Sequence, residues 1–331
     1  MIKKEAKLNS KLFKKDVEQV PTRNGYGEGL VVAGEENENV VVLCADLTDS
    51  TRSSLFKEKF PERFVEIGVA EQLLATVAAG MATYGKIPFI SSYAAFSPGR
   101  NWEQIRTTVS LNDVPVNIAG AHTGISVGPD GATHQALEDI ALMRVIPNMI
   151  VVAPSDAVET KKATIAAAKN KKPTYIRFAR EKTPVMTADH TPFEIGRAET
   201  FWEDKDPKVA IIACGPLVYE ALLAAKKLKK SKINSLVINC HTIKPIDEQA
   251  IVHAAKIAGA VVTVEEHQVA GGLGGAVAEV LSKKFPVPQG YVGMQDSFGE
   301  SGKPAELLKK YKMKSPDIIR AAKQVIARKS R

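Results

Sequence analysis

The chain has 331 residues, 44% of them apolar and only 6% aromatic, with a formal net charge of +8. That length exceeds one ordinary core, so two domains are the default, and the composition is that of a soluble α/β protein rather than a membrane or disordered one. The excess charge is terminal: residues 303–331 hold ten Lys or Arg against Glu306 and Asp317, and residues 3–15 hold six Lys against Glu5. With no aromatic interleaving, such tails favour a solvated helix face over nucleic acid.

No apolar run approaches the roughly 20 residues needed to span a bilayer, and the N-terminal MIKKEAKLNSKLFKK lacks the apolar segment of a secretory signal. Cys44, Cys214 and Cys240 stand far apart in apolar contexts without C-x-x-C or zinc spacing. The expectation is buried free thiols in a cytoplasmic protein, with no metal site built by this chain.

Taken in chain order, the first part alternates strand-like and helix-like segments. Strands are predicted at 40–46, 63–68, 87–93, 115–121, 149–153 and 174–178. Helices are predicted at 25–37, 70–84, 100–112, 135–145 and 156–170. This alternation argues a mostly parallel sheet covered on both faces. Residues 181–208 carry Pro184, Pro192, Pro207 and the cluster EDKDPK, and read as a link. The pattern then restarts, with strands at 208–214, 235–240, 260–265 and 291–295. Helices follow at 216–230, 247–257, 273–284, 303–311 and 317–328, with Pro304 and Pro316 suiting first-turn positions. The expected organisation is a first α/β domain over 15–185, a linker over 186–207 and a second α/β domain over 208–331. The GGLGG run at 271–275 opens a helix after a strand. It lacks dinucleotide-site spacing and reads as close backbone packing rather than a phosphate cradle.

Four features carry chemistry. Glu71 opens a helix after the strand FVEI, where a carboxylate suits the helix dipole. Its neighbours Gly68, Val69, Ala70, Leu73, Leu74 and Ala75 offer little polar company. A carboxyl buried there suits proton transfer; the plainer reading is a helix-end residue. Tyr93 and Phe96 form an aromatic pair just past a strand end, suited to lining a flat pocket or to core packing. His122, Asp130 and His134 share the Gly-rich loop GAHTGISVGPDGATHQ, placed where α/β sheets bind ligands and matching no zinc pattern. Arg23, Ser50 and Arg180 lie at element ends and suit phosphate binding, or surface ion pairs.

Together these pieces resemble transketolase, specifically its pyrimidine-binding and carboxy-terminal domains. The resemblance runs from about Lys15 to the end of the chain. It is carried by TRNGYGE, ADLTDS, IGVAEQ, SSYAAF, AHTGISVGPDGATHQ, IPNMIVVAPSD, FARE, VEEHQVAGGLGGAVAE and DSFGESGKPAELL. It implies that Glu71 hydrogen-bonds N1′ of the aminopyrimidine of thiamine diphosphate, with Tyr93 and Phe96 stacked on that ring and Asp46 near the cofactor. It further implies sugar-phosphate binding by Arg23, Ser50, His122 and Arg180, a sugar hydroxyl read by Asp130, and His134 at the two-carbon fragment as a second catalytic group.

One departure is large. The G-D-G motif that holds Mg²⁺ and diphosphate in full-length members is absent; the nearest match, Pro129-Asp130-Gly131, lies in the substrate loop. The resemblance therefore implies one subunit of a split transketolase, paired with a diphosphate-binding amino-terminal subunit as α₂β₂. Glu265, Glu266 and His267 are expected to be structural or interfacial. Three alternatives stay open: the β subunit of a 2-oxoacid dehydrogenase, half of a deoxyxylulose-phosphate synthase, and a non-catalytic regulatory paralogue.

Overall fold

A computed structural model describes residues 1–330. The strands are β1 (Gln19–Pro21), β2 (Val40–Cys44), β3 (Phe64–Glu66), β4 (Ile87–Tyr93), β5 (Asn117–Ala121), β6 (Ile150–Val152) and β7 (Thr174–Arg177). They continue with β8 (Lys182–Pro184), β9 (Glu199–Glu203), β10 (Val209–Ala213), β11 (Ser235–Asn239), β12 (Thr242–Lys244), β13 (Val261–Gln268) and β14 (Gln289–Met294). The helices of the first part are α1 (Thr22–Glu36), α2 (Ser54–Lys59), α3 (Glu71–Thr83), α4 (Trp102–Gln104), α5 (Asp139–Arg144) and α6 (Ala157–Lys169). Those of the second are α7 (Val218–Lys230), α8 (Glu248–Ala258), α9 (Leu273–Lys284), α10 (Pro304–Lys310) and α11 (Ser315–Ala327).

Two mostly parallel sheets result, each flanked by helices, as the alternation predicts. The seven-stranded sheet runs β12-β6-β7-β5-β4-β2-β3, and the five-stranded sheet runs β14-β13-β10-β11-β9. Among the described residues of these two sheets, only the edge strands β12 and β9 are antiparallel to their neighbours. β2 shows why the first sheet is two-sided: all five residues of VVVLC are buried. Val41 and Leu43 pack with α3, while Val40 and Val42 join Tyr26 and Leu30 of α1 on the opposite face.

α1 lies unusually close to α6. A Cβ at Gly25 would stand 1.9 Å from the Ala157 carbonyl oxygen, and one at Gly29 would stand 2.6 Å from Thr164 Cβ. Only glycine permits that approach. It seats α1 so that Arg23, in its first turn, sits at the sheet edge.

The sequence expectations fail at short pieces. β1 and β8 form a two-stranded antiparallel ribbon that no periodicity announces. The stretch expected to link the domains contains β9, which pairs with β11. β12 follows β11 in sequence yet pairs with β6, so the second half of the chain contributes an edge strand to the first sheet. Three-residue strands are too short to show a period, and their pairing is decided far away in sequence. The helix expected over 100–112 is α4 running into a π-turn at Ile105–Ser110. Pro304 and Pro316 do occupy first-turn positions. The three cysteines are buried and free. Among the described residues no helix is long and apolar enough to cross a membrane.

A buried polar seam joins the sheets. Arg177, at the end of β7, donates through Nε to Asp139 Oδ2 at 2.8 Å, and through Nη2 to the Glu266 carbonyl at 2.7 Å. Tyr175 Oη donates to the same Asp139 oxygen at 2.8 Å. One residue earlier on β13, Glu265 accepts from the backbone N–H of Leu273 and Gly274 at 2.7 and 2.8 Å. The GGLGG turn thus spends its N–H groups on an internal carboxylate, which burial pushes up to about 8. A Cβ at Gly272 would stand 2.0 Å from Glu265 Oε2 and one at Gly274 2.7 Å from Tyr291 Cδ1, which is the close packing read from its spacing.

Arg177→Met leaves Asp139 buried beside a seam without its cation. Removing one partner of such a pair costs about 3–5 kcal/mol. Urea unfolding of the variant is expected to show a loss of that order. A change below about 1 kcal/mol would mean that Arg177 does not hold the sheets together.

Candidate active site

Every candidate residue except Asp46 falls into a connected arrangement at the carboxyl edge of the first sheet, where open α/β sheets bind ligands. Glu71 is the first residue of α3 and is only 2% exposed. Its Oε2 accepts from Arg100 Nη1 at 3.1 Å, and its carbonyl accepts from buried Asn101 Nδ2 at 2.9 Å. The Arg100 guanidinium also lies over the Phe96 ring, 5.3 Å from its centroid. Carboxylate and aromatic wall are therefore held by one cation. Neither Arg100 nor Asn101 stands out in sequence, because their link to Glu71 spans a helix, a strand and a turn.

The aromatic pair does not end in the core. Tyr93 and Phe96 are half-buried, with rings 6.2 Å apart and nearly parallel at 24°. Tyr93 stacks on His122 at 4.0 Å. His134 sets its ring edgewise against both, 6.1 Å from Tyr93 and 5.5 Å from Phe96. Two histidines and two aromatics thus share one wall.

His122 sits at the end of β5 with φ of 55°, in the left-handed region that a side-chain-bearing residue rarely adopts. Its Nε2 lies 3.4 Å from Arg23 Nη1, and Arg23 Nη1 donates to the Ser50 carbonyl at 3.0 Å. Burial, then the positive charge of Arg23 and Arg180, pushes the imidazole down to about 3. His122 is therefore neutral at ordinary pH and works as a hydrogen-bonding group, not a cation. Its Nδ1 and Arg23 Nε are buried without a partner among the described residues. Such orphaned atoms mark where a ligand would satisfy them.

The Gly-rich loop completes the edge. Arg180 Nη1 donates to the Val127 carbonyl at 3.1 Å and to Asp130 Oδ1 at 3.4 Å, so Asp130 and Arg180 meet directly. From below, the backbone N–H of Ser126 donates to Glu266 Oε1 at 2.6 Å, and Gln135 Nε2 donates to the carbonyls of Ile125 and Glu300. Glu266 thus belongs to the loop's support, as expected for a structural residue. Asp46 stands apart: it is exposed, with φ of 55°, and its N–H donates to Glu66 Oε1. No group of three His, Cys, Asp or Glu side chains placed to hold a metal occurs among the described residues.

Comparison with known proteins identifies the family of both domains. Residues 18–186 match the family described as transketolase, pyrimidine binding domain, and residues 199–318 match transketolase, C-terminal domain. A Methanocaldococcus jannaschii protein assigned as a transketolase C-terminal section is 46% identical over 305 residues, covering 90% of this chain and 94% of that protein. Human transketolase is 36% identical over 94% of this chain, which spans 50% of its length. A solved structure described as a split gene transketolase, inactive β4 tetramer, is 45% identical, with a TM-score of 0.87, covering 93% of this chain and 99% of that one.

The neutral His122 gives a checkable pH behaviour. Its folded pKa lies below the unfolded value of 6.5, so the unfolded chain takes up the proton first. This contribution to stability is present above 6.5 and is lost as pH falls toward 3. In an NMR titration the His122 ring is expected to show no step near 6.5, and a step there would overturn the buried neutral assignment.

Proposed function

Because the chain belongs to the transketolase family, as a carboxy-terminal section of the split type, we propose that it supplies the pyrimidine-binding half of a two-carbon ketol-transfer site. Its working form pairs it with a separate diphosphate-binding subunit, as α₂β₂. The observation that carries this reading is the placement of buried Glu71 beside the Tyr93–Phe96 wall, with the Arg23, His122 and Arg180 cluster on the same sheet edge.

The residues fit one end of thiamine diphosphate. A buried carboxylate suits a ring nitrogen of the aminopyrimidine, and Tyr93 and Phe96 offer flat faces to the ring. The donors present do not fit the diphosphate and its Mg²⁺, which we assign to the partner. The half-length match to human transketolase supports that division. When bound, thiamine diphosphate supplies the carbon nucleophile and electron sink for breaking a carbon–carbon bond beside a carbonyl.

This chain's residues do the rest. Glu71 holds and exchanges a proton at N1′ of the pyrimidine, and Arg100 orients its carboxylate. Arg23 and Arg180 take the sugar phosphate through guanidinium N–H groups, with Ser50 and neutral His122 completing the cradle. Asp130, anchored on Arg180, accepts a sugar hydroxyl. His134 hydrogen-bonds the oxygen of the transferred fragment. Donors fixed this way need no rearrangement as charge develops, which is how preorganised sites lower a barrier. Asp46 is assigned to the partner-facing rim.

Two measurements test the proposal. In a coupled assay with xylulose 5-phosphate, ribose 5-phosphate, thiamine diphosphate and Mg²⁺, activity is expected only when an amino-terminal subunit is added. Glu71→Ala is expected to lower kcat of the mixture by about 10²–10⁴-fold. Full activity from this chain alone would sink the split-site reading. Arg180→Ala removes a charge-assisted bond worth about 1.5–3 kcal/mol, so KM for the phosphorylated donor is expected to rise at least about tenfold. An unchanged KM would remove Arg180 from the cradle.

A further inference from the structure

The second sheet has a crevice of its own. From β10 the chain crosses to β11 on one side and later returns as β13 on the other. The direction of winding therefore reverses between β10 and β13. In open parallel sheets the crevice outside the carboxyl ends of the strands at such a reversal is a natural ligand site. The first sheet reverses in the same way between β3 and β4 about β2, and the candidate active site lies at its carboxyl edge.

At the second reversal the structure holds a cavity of about 590 Å³. That volume falls within the range of small-molecule sites. Pro216 and Leu217, just after β10, form one wall, and Glu266, from β13, forms another. Tyr219, Pro304 and Leu308 extend the apolar lining. Arg23, Ser50, His122 and Arg180 are not among its walls, although Ser126 of the Gly-rich loop and Glu181, next to Arg180, are, so it adjoins the sugar-phosphate cradle without sharing its residues.

The polar groups of the cavity are arranged by depth. Glu266 lines the inner wall and is 2% exposed; its Oε1 is taken by the Ser126 N–H, which leaves Oε2 as the acceptor for an inward hydrogen-bond donor. Lys182 and Lys303 are exposed lining residues, and the Lys303 side chain has only a 3.9 Å contact to Glu306. Glu220 opposes them least, because it already accepts from Lys314 Nζ and from the Ser315 N–H. Glu181 is the remaining acid on the wall. A ligand matching this order carries a flat apolar body, a donor directed inward and an anion directed outward.

We propose that this crevice is a second binding site, for a small organic phosphate with a flat apolar body and a hydrogen-bond donor on it, of nucleoside monophosphate size. Two of its walls also support the substrate loop. Glu266 holds Ser126, and the Pro304 ring packs so closely on Gly128 that a Cβ there would stand 3.0 Å from it. A ligand in the crevice thus touches the residues that hold the loop.

Isothermal titration of the full chain with adenosine 5′-monophosphate tests the site. Saturable binding is expected with Kd of about 1 mM or tighter, and about tenfold weaker binding of adenosine and of inorganic phosphate alone. Leu308→Trp, checked for folding by circular dichroism, fills the cavity and is expected to abolish binding. Lys182→Ala with Lys303→Ala leaves the core untouched and is expected to weaken it about tenfold. Arg180→Ala is expected to leave it unchanged. Absence of saturable binding would overturn the proposal, as would binding that survives the lysine pair and is lost with Arg180→Ala. Neither result would bear on ketol transfer, which is read by the separate assay.

Discussion

The Arg177–Asp139 pair is the contact on which the geometry of the site depends. It is an ion pair with both side chains almost fully buried, and Arg177 reaches on to the Glu266 carbonyl of the other sheet. Charges taken out of water are costly unless every polar atom is matched closely. Asp139 Oδ1 has no hydrogen-bond partner among the described residues, so Arg177 and Tyr175 on Oδ2 carry the whole compensation, and the arrangement tolerates little displacement of Arg177. Because the next link runs from the Glu266 carboxylate to Ser126, that rigidity passes into the Gly-rich loop. Asp130 and His134 take their positions from a loop fixed at its base by the second domain.

This gives the carboxy-terminal domain a physical role in supporting the loop. Its segment around Gly299–Pro304 packs under the loop, where the Glu300 carbonyl accepts from Gln135. β12 adds an edge strand to the first sheet. One hydrophobic cluster runs without a break from Val41 and Leu74 of the first half to Ile212 and Val277 of the second. The two halves are thus packed as one body around a shared polar seam. The seam bears on the Gly-rich loop more directly than on Glu71, whose support comes from α3, Arg100 and Asn101.

Much of the architecture was legible because it rests on local pattern. Strand-length apolar runs such as VVVLC and VAIIA, separated by helical segments, are how a two-sided parallel sheet must read. The Gly-rich loop and the aromatic pair stand out for a similar reason: each follows a strand end, β5 and β4, as its sequence pattern indicates. What stayed hidden was short or non-local. β1, β8, β9 and β12 run to five residues or fewer, and β12 pairs with a strand far behind it in the chain. Arg100 was missed because nothing near it in sequence announces a carboxylate. The loop pattern marks His122 as a candidate ligand-binding residue but not its charge; its neutrality follows from burial beside two guanidiniums that the fold brings in from either end of the domain.

The sequence by itself determined the class of fold, the order of its elements and the residue types at the sheet edge, because each depends on periodicity or on motifs confined to one segment. Only the tertiary structure decided which of those residues meet. It put Arg23 against His122, Arg180 against Asp130 and Arg100 against Glu71, and it left Asp46 outside the cluster. The physical reason is range. Side-chain patterning is set over a few residues, whereas an ion pair or a ring stack is set by how two sheets and their helices close around a common core.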